Sequence, residues 1–129
     1  MAIDPGSKRV GVAVSDPLRI VATPLAVVDA DGAIEEIARM CEEYRPDVVV
    51  VGFPIGLSGV EGPAADRVRS FTERLRSAIS APVELFDERF TTRTAESALL
   101  EAGMKRRDRR QTVDKVAAAV ILRHYLERA

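Results

Sequence analysis

Ala2-Ile3-Asp4-Pro5-Gly6-Ser7-Lys8-Arg9-Val10-Gly11-Val12-Ala13-Val14-Ser15-Asp16 is the stretch that decides the fold. A short apolar run ends in a carboxylate, Pro5-Gly6 with Ser7 and Lys8 makes a turn, and a second run alternates strictly. Val10, Val12 and Val14 share one face and Gly11 and Ala13 the other, which is the period of a strand. The stretch predicts a β-hairpin whose first strand carries Asp4 to the rim of a sheet, where open α/β folds collect their chemistry. An Asp at a turn can also do no more than satisfy its own downstream backbone. The rest of the chain has to decide between these uses.

Outward from the hairpin, Leu18–Val21 and then Pro24–Val28 supply a third antiparallel strand, and Asp29–Gly32 a turn. Ala33–Tyr44 is an amphipathic helix with Ile34, Ile37, Ala38 and Cys41 at i, i+3, i+4 and i+7, stopped by Pro46. Asp47–Phe53 contains four consecutive valines, the mark of a strand covered on both faces. A Gly- and Pro-rich loop runs from Pro54 to Pro63. A helix over 63–80 follows, with Val68, Phe71, Leu75 and Ile79 inward. Val83–Phe86 is a strand ending in Asp87-Glu88-Arg89. Thr91-Thr92 opens a helix to about Ala102, closed by Gly103; 105–110 is a basic loop, and Thr112 caps a last helix to Glu127. The order β-β-β-α-β-α-β-α-α predicts an α/β fold, a mixed five-stranded sheet with helices on its faces.

With 129 residues, 47% hydrophobic and 30% charged, the chain is read as one domain, 1–129, with a single core. A net charge of −1 excludes a polycationic tail, so any nucleic-acid site has to come from local clustering. The single cysteine excludes an internal disulfide, and Cys41 falls in the apolar stripe of its helix, where a small buried hydrophobe is expected rather than a nucleophile. No signal peptide or membrane-length apolar run is visible, which predicts a cytoplasmic protein without membrane partners.

Three carboxylates fall where such a sheet would gather them. Asp4 ends the first strand, Glu88 or its neighbour Asp87 ends the last, and Asp114 sits just inside the Thr112 cap. Each alone has a structural use, as a turn cap, a surface ion-pair member or a helix-dipole partner. Together they suit a hard divalent cation, which takes carboxylates, water and phosphate oxygens. Two such ions about 4 Å apart support phosphodiester hydrolysis. Lys105, Arg106, Arg107, Arg109 and Arg110 form a basic run ahead of Asp114, and Lys8 and Arg9 add charge beside Asp4. These suit a phosphate backbone. Aromatic content is 5% with no Trp, so base stacking is a weak route to recognition. His124, ten residues beyond Asp114, is given no role.

Four motifs in order resemble the YqgF/RuvX family of ribonuclease H-like nucleases. They are Asp4–Asp16, Val51-Gly52-Phe53-Pro54 continuing through Gly59-Val60-Glu61-Gly62-Pro63, Asp87-Glu88-Arg89-Phe90-Thr91-Thr92, and Asp114-Lys115-Val116-Ala117-Ala118. The resemblance spans nearly the whole chain. It implies a ribonuclease H-like fold, Asp4, Glu88 and Asp114 as catalytic metal ligands, and Mg²⁺ or Mn²⁺ as cofactor. It implies pre-16S ribosomal RNA in a ribosome precursor as partner, and a part in maturing its 5′ end. Cleavage of branched DNA as a Holliday junction resolvase is the alternative. Phe53 and Val60 depart from the family, which more often has Leu and Thr there. Only three residues precede Asp4, which predicts a short first strand or a start downstream of the true one.

Competing folds fail on particular residues. The Asp4–Lys8 turn also resembles the phosphate loop of actin-like ATPases, but those need two lobes and this chain has length for one. No G-x-x-x-x-G-K-[ST] occurs. A receiver domain would want Asp where Gly52 stands. A non-catalytic RNA-binding assembly factor is the remaining rival, and three carboxylates facing phosphate would cost it affinity unless metal ions offset them. Oligomeric state, and endonuclease against exonuclease, stay open.

Overall fold

The computed structural model describes residues 1–53, 62–87 and 106–128, the last segment by its backbone alone over 106–115 and at 128. Five strands, β1 (Ala2–Pro5), β2 (Arg9–Ser15), β3 (Ala22–Asp29), β4 (Val49–Phe53) and β5 (Val83–Asp87), form one sheet in the order β3-β2-β1-β4-β5. The helices are α1 (Ala33–Tyr44), α2 (Pro63–Ala78) and α3 (Arg106–Arg128). β1, β2 and β3 pair antiparallel, while β4 is parallel to β1 and β5 to β4. This is the mixed sheet that the element order predicts.

The strand alternation sorts the core into two layers. Ile3, Val10, Val12, Val49, Val51 and Phe53 pack with Ile34 and Ile37 of α1 and with Ala65, Val68 and Leu75 of α2. Ala2, Ala13, Val50 and Phe86 pack on the other face with Ala118, Ile121 and Leu122 of α3. Val49, Val50 and Val51 are all fully buried, as a β-branched run between two helical layers requires. Cys41 is half-buried and its burial pushes the thiol up from its ordinary value, which fits a packing residue and not a nucleophile.

β4 begins at Val49, two residues later than expected, and β5 runs on to Asp87; three further boundaries differ from expectation. β3 starts at Ala22, because a register shift between Val12 and Ala13 accommodates Pro24 within the strand. α2 ends at Ala78, where Ile79 leaves the helix in an extended conformation. α3 begins at Arg106 rather than Thr112, so Arg106, Arg107, Arg109 and Arg110 belong to a helix and not to a loop. Arginines are good helix formers, and the apolar repeat that announces a helix begins only later in the chain. The expected helix from Thr91 to about Ala102 and the loop from Pro54 lie outside the described residues.

Asp16, the second carboxylate of the opening motif, is spent on structure. Its Oδ1 accepts the backbone N–H groups of Ile20 (2.7 Å) and Val21 (2.8 Å), closing the β2–β3 turn. The Val21 bond foremost holds its pKa below the usual carboxylate value. That turn stands at the edge of the sheet opposite to Asp4.

Candidate active site

β1, β4 and β5 are parallel, so their C-terminal ends open on one edge. Ile3 is level with Val51, and Val51 with Leu85. One residue further, Asp4, Gly52 and Phe86 make a row, and on the other side Asp4 pairs with Gly11 of β2. Asp4 is half-buried and has glycine on both neighbouring strands. Neither neighbouring strand therefore sets a side chain directly beside Asp4 along the row. An isolated glycine in a strand marks a close approach by a ligand or another backbone. Sequence reading passed over Gly11 and Gly52, although each interrupts a valine run in plain view.

The turn after Asp4 is tightly specified. Gly6 N–H donates to Arg9 O at 2.9 Å. A Cβ on Gly6 would lie 2.5 Å from that same oxygen, so no other residue fits without moving the backbone. Lys8 O accepts the Ala30 N–H at 2.9 Å, which ties the turn to the segment leading into α1. Lys8 is exposed and Arg9 half-buried at this rim. The turn is thus a fixed mount for two cations beside a carboxylate.

Strand parity separates the two carboxylates at the end of β5. Phe86 packs in the α3-side layer, and Tyr125 of α3 donates its hydroxyl to Glu84 Oε2 at 2.9 Å. Residues 84 and 86 therefore face α3, as Asp4 does by its alternation with Ala2. Asp87 alternates to the other face, level with Phe53, which is buried in the α1–α2 layer. Asp4 and Asp87 are on opposite faces of the sheet. Glu88 lies outside the described residues.

α3 crosses the Asp4 face of the sheet. In its C-terminal half Tyr125 bonds Glu84, the second residue of β5, and also stands edge-on to Phe86 with ring centroids 6.2 Å apart. Arg123 and Leu126 line a cleft with Arg19–Ala22 of the β2–β3 turn. The helix therefore runs back from that edge toward the edge of Asp4. Ala118 shares a cluster with Ala2, and Asp114 is four residues before Ala118, one turn or about 6 Å. Asp4 is two residues beyond Ala2, also about 6–7 Å. The ninth residue of α3, not a first-turn residue as expected, is thus the one that reaches the level of Asp4. Among the described residues no three His, Cys, Asp or Glu side chains cluster as metal ligands, and no helix is long and apolar enough to cross a membrane.

Comparison with known proteins agrees with this architecture. A protein of Clostridium kluyveri named "Putative pre-16S rRNA nuclease" is 39% identical, covering 99% of this chain and 96% of its own. One of the same name from Pelotomaculum thermopropionicum is 42% identical, covering 98% and 85%. Among solved structures, Thermus thermophilus RuvC in complex with a Holliday junction substrate superposes with a TM-score of 0.59 at 19% identity, covering 98% of this chain and 91% of RuvC. The fowlpox virus Holliday junction resolvase gives 0.53 at 15% identity, covering 98% and 97%. These two likenesses establish the ribonuclease H-like fold. The family model described as RuvX, Holliday junction resolvase, matches residues 1–128. The chain belongs to the RuvX family.

Proposed function

We propose that residues 1–129 act as one cytoplasmic nuclease domain that hydrolyses phosphodiester bonds with a divalent metal, Mg²⁺ or Mn²⁺, and matures the 5′ end of pre-16S ribosomal RNA. The observation that carries this reading is Asp4, held at the open edge of the central strand between Gly11 and Gly52. Its metal partners are Glu88 and Asp114. Asp87 is set aside because its strand parity turns it to the other face, which leaves Glu88 as the carboxylate for the role. An all-carboxylate donor set suits a hard cation. When bound, the metal supplies a Lewis acid for the phosphate and a stronger nucleophile than free water.

The chain's own cations hold the substrate. Lys8 and Arg9 sit on the fixed turn beside Asp4 and steady the phosphate there. Lys105 precedes α3, and Arg106, Arg107, Arg109 and Arg110 fill its first two turns. Cations oppose the positive end of a helix dipole, so this placement costs stability. It concentrates positive potential where a polyanion would offset it. Ribosomal RNA is favoured over junction DNA by the names of the relatives that are 39% and 42% identical to this chain.

The test is cleavage of labelled 5′-extended 16S precursor RNA and of a four-way DNA junction, in Mg²⁺, Mn²⁺ and EDTA. Metal-dependent cutting of the RNA is expected. Cutting of the junction alone would transfer the assignment to branched DNA, and binding without cutting in either metal would leave an assembly factor.

The glycine flanks give a second check. Gly52→Ala is expected to slow cleavage roughly tenfold or more, since displacing a reacting group by even 1 Å is costly. Gly52 is buried, so the added methyl can also cost about 1–3 kcal/mol, and the rate is read where the variant is fully folded. Wild-type rates in that variant would show that the space beside Asp4 has no part in the reaction.

A further inference from the structure

We infer that the outward stripe of α2, made by Arg67, Ser70, Arg74 and Ser77, is a track for single-stranded RNA leaving the catalytic edge. The inference rests on the nuclease reading above for its choice of RNA. All four residues are exposed and fall at i, i+3, i+7 and i+10, one face of a helix. The opposite face holds Ala65, Val68, Thr72 and Leu75, all buried. No carboxylate interrupts the stripe. A helix needs only its buried face to dock, so the outward cations are left unexplained by the fold.

The arginines of α2 divide into used and unused. Arg76 pairs with Glu73 and donates to Val83 O at 3.0 Å. The Arg69 guanidinium lies 4.9 Å from the centroid of the Phe53 ring. Among the described residues, Arg67 and Arg74 enter no ion pair. Elsewhere on the surface, Arg19, Arg39 and Arg123 are each paired with a carboxylate, and the exposed Lys8 and Arg45, which enter no ion pair among the described residues, stand singly. In a chain of net charge −1, two uncommitted guanidiniums on one stripe are a local excess.

The direction of α2 links this stripe to the site. Phe53 is the last residue of β4, so Arg69 over its ring puts the first turns of α2 at the catalytic edge. Val83 begins β5, so Arg76 marks the far edge. From Arg67 to Ser77 the stripe extends about 15 Å, the length of about four stacked nucleotides. Guanidiniums take phosphates in bidentate fashion, and a hydroxyl between them, Ser70, can exchange hydrogen bonds with a ribose 2′-OH.

Neighbouring charge confines the path. Asp66 and Glu73 lie on the flank toward Arg76, and Glu73 is already neutralised by it. On the other side α1 exposes Glu35, Glu42 and Glu43, which repel phosphate. A strand crossing the rim from Asp4 is thereby held to α2. The width of a single helix stripe suits one strand and not a duplex.

The experiment measures binding in EDTA, so that it does not depend on cleavage. Anisotropy of a labelled 15-nucleotide RNA is followed against salt for wild type and for Arg67→Gln/Arg74→Gln. Gln keeps the helix propensity and the exposed positions tolerate it. The slope of log affinity against log salt should become shallower by about 1.4, two phosphates at 0.7 each. A dinucleotide, too short to span the roughly 10 Å from Arg67 to Arg74, should show at most half of that change in slope. Arg39→Gln/Arg123→Gln removes the same charge from paired sites elsewhere and should leave the slope of the long RNA as in wild type. An unchanged slope in Arg67→Gln/Arg74→Gln, or an equal loss in the control pair, overturns the track. A wild type that cuts RNA with such an unchanged slope defeats only the track, whereas one that neither binds nor cuts RNA defeats the nuclease reading beneath it.

Discussion

Asp4→Asn is expected to lower metal-dependent cleavage by roughly 100-fold or more, the scale seen when one group that stabilises transition-state charge is removed. The substitution keeps the size and shape of the side chain and removes its negative charge. A divalent ion bound among carboxylates loses a full ligand charge, and the substrate phosphate meets one repulsion fewer. RNA binding measured in EDTA should therefore be equal to wild type or tighter. The fold should persist, because Asp4 is half-buried at a strand end and β1 is held by Ala2 and Ile3, both fully buried. The pairing of lost cleavage with retained binding is what a ligand role demands. Wild-type cleavage by Asp4→Asn would remove Asp4 from the site. Loss of both binding and cleavage with a lowered melting temperature would make it a residue of the hairpin alone.

How much of this was legible in the sequence depends on whether a property is local. The hairpin was, because Val10, Val12 and Val14 alternate with Gly11 and Ala13 and Pro5-Gly6 marks the turn. So was the two-sided burial of Val49–Val51, since four β-branched residues in a row have no solvent face to offer. The start of α3 was not. Hydrophobic periodicity detects only the part of a helix that docks, and the arginines from 106 to 110 are helix-compatible without being periodic. The choice between Asp87 and Glu88 was closed to sequence reading as well, because parity has meaning only once Glu84 is seen against Tyr125. The glycines beside Asp4 are a different case. They were visible as breaks in the valine runs, but their level with Asp4 needs the strand register. Asp16 and Asp4, alike in the motif, part company only when the sheet puts them at opposite edges.

Ala118→Leu should separate the placement of α3 from its mere presence. Ala2, Ala13 and Ala118 are fully buried where α3 meets the sheet, and their small side chains let the helix lie close. A leucine there adds three carbons to a filled contact. It is expected to cost about 1–3 kcal/mol, read as a lower urea midpoint with the same slope. The helix can relieve the overlap only by lifting or sliding, and Asp114 is one turn away on the same rod. Cleavage under conditions where the variant is fully folded should therefore also fall, by roughly tenfold or more. His124→Leu is the matched change on the same helix. His124 is exposed, so the variant's stability should stay within about 0.5 kcal/mol of wild type and its cleavage unchanged. Full activity in folded Ala118→Leu would mean that the level of α3 against Asp4 does not matter. Asp114 would then lose its place in the site, since nothing but that close contact brings it to the edge.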